Sequence, residues 1–202
     1  MKLVLRCQQL VQDEEGYATW RVQNVVGQWP AEKTALLLCD VWNSHWCRGA
    51  VARLDAMVER MEQVVRTVRD ASGLIVNAPS DTMDFYADSP ARKRAGAAPR
   101  LDPPPDQERA DPPLPIDASD NGSDTGETET HKAWHRQHQA IGIDEERDII
   151  ADEGIEIYSY LQYAGIEHLL IMGVHTNMCV LHRTFAIKQM VRWGVEVALI
   201  RD

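Results

Sequence analysis

Two residues in this chain have the type and setting for covalent chemistry. Cys179 stands in the run Gly173-Val174-His175-Thr176-Asn177-Met178-Cys179-Val180. An apolar stretch over 169–172 precedes the run, and apolar residues recur at helical spacing over 180–193. The cysteine therefore belongs to a turn where a strand stops and a helix starts. Unpaired N–H groups at a helix N-terminus favour negative charge, so a thiol there loses its proton more easily, and the thiolate is the nucleophile. Asn177 can cap that helix through its side-chain oxygen. The alternative is a buried cysteine serving as a small hydrophobe. The turn context favours the nucleophile, and Cys179 is expected to be the most reactive of the chain's thiols. Asp40 closes a near-continuous apolar run over 34–39 and opens Asp40-Val41-Trp42-Asn43-Ser44-His45-Trp46-Cys47. A carboxylate ending a buried strand is costly to keep for packing alone. Within reach of Cys179 it can take the thiol proton and return it to a leaving group, or activate a water. The alternative is a cap on the following turn. Trp42 and Trp46 suit apolar pocket walls and core positions equally well.

The surrounding elements decide whether the two meet. Leu54, Met57, Val58, Met61, Val65 and Val68 recur at helical intervals, and Gly73 stands where that helix would stop. Leu74-Ile75-Val76 begins a second buried strand ending at Asn77-Ala78-Pro79-Ser80. Further on, the pattern predicts a helix over 155–164, a strand over 166–172, a helix over 177–193 and a strand over 195–200. Such alternation predicts an α/β fold, a doubly wound and mostly parallel sheet flanked by helices. Sites in such sheets form beyond the carboxyl ends of the strands, where Asp40, Ser80 and Cys179 would all lie. Residues 3–11 and 17–26, separated by Asp13-Glu14-Glu15-Gly16, read as a β-hairpin, making 1–32 an N-terminal extension and 33–202 the main domain. Proline, aspartate, glycine, serine and threonine dominate from about 97 to 130, which reads as an irregular surface insertion.

Bulk properties narrow the partners. A chain of 202 residues suits one main domain. With 21 basic and 31 acidic residues the net charge is −10, and no basic stripe is present to neutralise nucleic acid or an anionic membrane. No apolar run reaches the length of a membrane span. The first residues read as lacking the apolar core of a signal peptide. The four cysteines are scattered rather than arranged as a disulfide framework, so a reducing cytoplasm is the expected location. The expected partner is a small-molecule substrate, and self-association into a homo-oligomer stays open.

The strand ending in Asp40 and the motif around Cys179 together resemble the isochorismatase-like cysteine hydrolases, a superfamily that includes nicotinamidases and carbamoylsarcosine-type amidohydrolases. The likeness spans roughly 33–202 apart from the insertion. It implies a three-layer, Rossmann-like sheet and hydrolysis of a small amide or a related carbonyl or vinyl-ether substrate; no cofactor is expected. It implies Asp40 as acid/base and Cys179 as nucleophile. It further implies a non-proline cis peptide between Val174 and His175, with the His175 and Cys179 N–H groups forming an oxyanion hole. The family's lysine ends the third strand, which here is 148–151, yet Asp152-Glu153-Gly154 follows it. A carboxylate there would raise the thiol pKa rather than lower it. Arg183, one helical turn beyond Cys179, and His45 are the candidate substitutes. Trp42, His45, Trp46, Ser80, Asp152 and Arg183 thus make up the expected pocket. Two readings follow: a cysteine hydrolase, or a catalytically silent binding protein on the same fold. A redox role has no Cys-x-x-Cys pair behind it. For a metal, Asp117, Asp120, His45, His131, His135 and His138 do not reproduce the family's Asp-x-His pattern. The last three have spacing that could share a helical face, but no metal site is expected. The chain stops at Asp202 where the family usually continues, which reads as either a truncated chain or a sheet lacking its final cover.

Overall fold

The computed structural model describes residues 1–108 and 123–201. Strands β1 (Lys2–Gln12) and β2 (Ala18–Gln28) pair antiparallel from Lys2 opposite Gln28 to Gln12 opposite Ala18. The Asp13 carboxylate sets their turn by accepting the N–H groups of Glu15 and Tyr17, at 3.0 and 2.9 Å. At the base, Leu3 and Leu5 pack on the core around Trp29. The opposite face leaves the cross-strand pairs Val4–Val26 and Leu10–Trp20 exposed.

The main body runs β3 (Thr34–Cys39), α1 (Arg48–Asp70), β4 (Leu74–Ala78), α2 (Pro90–Ala97), β5 (Ile149–Ile150), α3 (Gly154–Tyr163), β6 (His168–Gly173), α4 (Cys179–His182), α5 (Ile187–Arg192) and β7 (Glu196–Leu199). The sheet order is β5-β4-β3-β6-β7, with every pairing parallel. Strand β3 is buried at all six positions because both of its faces are covered. With the two-residue period of a strand, Leu36 and Leu38 meet Leu54, Val58, Met61 and Val65 of α1. Ala35, Leu37 and Cys39 belong to the opposite layer with Ile157, Leu161, Phe185 and Met190. The α/β expectation is met, with a sheet that is parallel throughout.

The chain winds outward from β3 through β4 to β5, then returns to lay β6 on the other side of β3. The switch point is therefore between β3 and β6, and a crevice opens where their carboxyl ends diverge. Gly173 permits the close approach there: a Cβ on it would lie 2.0 Å from the Cys39 carbonyl oxygen. Asp40 leaves one lip of the crevice and the loop to Cys179 leaves the other. Residues 98–108 and 123–148 contain no helix or strand, and Asp117 and Asp120 lie outside the described residues. Among the described residues no helix is long and apolar enough to cross a membrane.

Candidate active site

Asp40 is fully buried and has φ of 52°, the left-handed region that few non-glycine residues occupy. Both carboxylate oxygens are matched. The Ser80 N–H donates to Oδ1 at 2.9 Å, and Nε of Arg183 donates to Oδ2 at 2.7 Å. A buried charge is tolerated on just these terms, paired and hydrogen-bonded. The side chain thus reaches across to the end of β4 and the segment after α4, rather than capping its own turn.

The predicted helix over 177–193 is interrupted. Helix α4 ends at His182, Arg183 takes φ −57° and ψ 154°, Ala186 is extended, and α5 starts at Ile187. The start of α3 presses against the break. The Gly154 N–H donates to Thr184 Oγ1 at 3.1 Å, and a Cβ on Gly154 would lie 2.1 Å from the Thr184 carbonyl oxygen. Leaving the helix frees Arg183 to turn back over the Trp42 ring, 5.8 Å from its centroid, and reach Asp40. Gly154→Ala is accordingly expected to displace 183–186 and to cost about 1–3 kcal/mol of stability, the usual range for overpacking, with Arg183 pulled from Asp40. Thermal unfolding measures the first effect and turnover the second.

Burial pushes the Cys179 thiol up, and the adjacent Asp40 charge and a hydrogen bond to it push further. Arg183 opposes them, and the outcome is a pKa raised from 9.0 to about 12. The expectation of a thiol acidified by its helix is thus reversed. A four-residue helix with no side-chain cap, from Asn177 or any other residue, has little dipole to set against a neighbouring carboxylate. The two carboxylates at the expected lysine position are not the cause. Asp152 accepts the Asp81 N–H at 2.8 Å, and burial raises its own pKa. Glu153 caps α3 by accepting the N–H groups of Ile155 and Glu156. Among the other thiols, Cys7 is exposed and burial raises Cys39 strongly. Burial also pushes Cys47 up, but the Ala50 N–H, the Ser123 and Thr125 hydroxyls and the Asp124 N–H outweigh it, and its pKa falls. The depressed thiol is Cys47, at the start of the long helix α1.

All described peptide bonds are trans, including Val174–His175, so the cis bond implied by the resemblance is absent. The His175 carbonyl accepts the N–H groups of Met178 and Val180 at 3.1 and 3.2 Å, which curls the loop. The N–H groups of His175 and Cys179 themselves have no hydrogen-bond partner among the described residues.

Aromatic rings wall the crevice. Trp42 is buried and stacks on Trp134 at 4.0 Å, and both indole N–H groups donate to the Ser80 carbonyl. The Ser80 hydroxyl is buried and has no partner among the described residues. His45 lies nearly parallel to both indoles, with Trp46 at 5.0 Å and the edge of His175 at 4.9 Å. Asp40, Trp42, His45 and Val174 line one cavity. Trp134 is the residue that sequence reasoning missed; its signal was a lone large aromatic in the polar stretch 131–138. That stretch is not helical, so His131, His135 and His138 share no helical face. It crosses the site as a strap. Asn43 accepts the N–H groups of His135 and Arg136, and Gln137 donates to Asn77 at 2.8 Å. Among the described residues no group of three or more His, Cys, Asp or Glu could hold a metal ion.

The isochorismatase domain model matches residues 34–202. Among solved structures, a cysteine hydrolase from Pseudomonas syringae pv. phaseolicola is similar at 12% identity and a TM-score of 0.48, over 86% of this chain and 73% of that one. No curated protein matches the chain.

Proposed function

The chain belongs to the isochorismatase family, and from that premise we propose that it is a cysteine-dependent hydrolase of a small amide, with Cys179 as nucleophile, Asp40 as acid/base and Arg183 in the place of the lysine. The observation that carries this reading is the 2.7 Å ion pair between Arg183 and the buried Asp40, held against the Cys179 thiol.

The raised thiol pKa shapes the mechanism. At neutral pH the sulfur keeps its proton and shares it with Asp40, so proton transfer accompanies attack. As the sulfur bonds to the amide carbon, Asp40 takes the proton and the carbonyl oxygen becomes an oxyanion. The unpartnered N–H groups of His175 and Cys179 are the available donors to it. Asp40 then protonates the leaving nitrogen, the C–N bond breaks, and a thioester remains. Water attacks the thioester, giving its proton to Asp40, which returns it to the departing sulfur. Arg183 keeps the net charge of the cluster near neutral throughout: it balances the carboxylate at rest, and sulfur or oxyanion once Asp40 is protonated. Removing water from these charges strengthens each of the interactions.

The silent-protein alternative rests on the missing lysine: Arg183 beside Asp40 favours the hydrolase, whereas the raised thiol pKa favours the silent protein. Turnover of a broad panel of amides, read as released amine or ammonia, tests the proposal. Wild type is expected to turn over at least one member and Cys179→Ala none. Undiminished turnover by Cys179→Ala, or none by wild type across the panel, overturns it.

A further inference from the structure

We propose that His45 is a substrate-binding residue whose Nε2–H donates to an uncharged acceptor, a carbonyl oxygen of the bound amide. This rests on the hydrolase reading and deepens it by naming the charge class of the substrate.

The hydrogen bonding of the ring carries the inference. The Cys47 N–H donates to His45 Nδ1 at 3.0 Å. A backbone N–H can only donate, so Nδ1 is bare and the single proton of a neutral ring is on Nε2. That nitrogen has no partner among the described residues, although the ring lines the cavity with Asp40. The donor itself is held firmly. Cys47 is the N-cap of the 23-residue helix α1, and the end of the insertion clamps the first turn, with the Gly49 N–H donating to Thr125 Oγ1 at 3.2 Å.

The surroundings keep the ring neutral. Burial acts first, His175 and His131 act in the same direction, Asp40 opposes, and the pKa falls to about 4. The cavity therefore offers a donor without positive charge, next to a carboxylate. An anionic group on the substrate would meet the carboxylates of Asp40 and Asp55 in the lining, with Arg183 already engaged by Asp40. A neutral carbonyl fits both conditions.

The test separates this role from the thiol chemistry by using Cys179→Ala as the background. Long-range proton–nitrogen spectra of 15N-histidine protein should show His45 protonated at Nε2 and bare at Nδ1, from neutral pH down to pH 5. Benzamide, uncharged and planar, should bind more tightly than the anionic N-carbamoylglycine. Adding His45→Phe should weaken benzamide by about tenfold, the scale of one hydrogen bond, and His45→Asn, which can both accept and donate, should recover most of the loss. A proton on Nδ1, a charged ring at neutral pH, no benzamide binding, tighter binding of N-carbamoylglycine, or equal benzamide affinity with and without the imidazole each overturns the proposal. Failure of the hydrolase reading would appear instead as turnover that survives loss of Cys179.

Discussion

Arg183→Met is expected to be the most damaging single substitution in the site. Asp40 is fully buried, and its Oδ2 has Arg183 as its charged partner. Removing the guanidinium strands a carboxylate away from water, which costs about 3–5 kcal/mol for a broken buried pair. The substitution also removes the cation that balances sulfur or oxyanion in the proposed chemistry. Melting temperature and turnover should therefore fall together. The double variant Asp40→Asn with Arg183→Met removes both charges, and it should regain much of the lost stability while staying inactive. Wild-type stability and turnover in Arg183→Met would show that the ion pair is peripheral.

Asp40→Asn should separate reactivity from catalysis. In the wild type, burial, the Asp40 charge and the hydrogen bond to it hold the Cys179 thiol near pKa 12 against Arg183. The substitution deletes the two Asp40 contributions and releases the guanidinium to pair with sulfur. The sign is downward, and each unit of fall gives about tenfold more thiolate at neutral pH. Alkylation of Cys179 by iodoacetamide at neutral pH should therefore accelerate by about tenfold or more, as read by peptide mapping. Amide turnover should drop by about 10²–10⁴, the usual contribution of a general acid/base. The wild-type alkylation rate should still be rising at pH 10. Slower labelling of Asp40→Asn at every pH, or normal turnover, would remove Asp40 from the role of base.

The elements that converge at the crevice are largely legible in the sequence. The apolar runs of β3, β4 and β6 announce strands covered on both faces, and Asp40 and the Gly173–Val180 motif mark the ends of two of them. What the periodicity hides is the break after α4. In the sequence Val180, Ile187 and Val191 share one face of a continuous helix, yet the larger apolar residues the fold buries fully there are Val180, Phe185 and Met190, whose five-residue spacing no single helical face provides. The interruption comes from distant contacts, Gly154 against Thr184 and Arg183 onto Asp40, and such contacts override local preference. The thiol's pKa is hidden for a related reason: position at a helix start is visible in a sequence, whereas distance to a carboxylate is not. The strap over 131–138 has no period of its own. Its order comes from Asn43, Asn77 and the stack on Trp42, all from other parts of the chain.

Cys179 and Arg183 stand four residues apart on one stretch of backbone, so their spacing is a local property of the chain. A cation supplied from the third strand would depend on β5, a two-residue strand at the edge of the sheet. Here Asp40 and Cys179 depend on β3 and β6, which are paired along six residues at the centre. In native-state hydrogen exchange, edges open at low free energy and central strands open last. Asp40 and Cys179 of the proposed charge cluster are thus moored to the central strands, and the edge at β5 reaches the cluster only through Arg183, by way of the contact of Gly154 with Thr184.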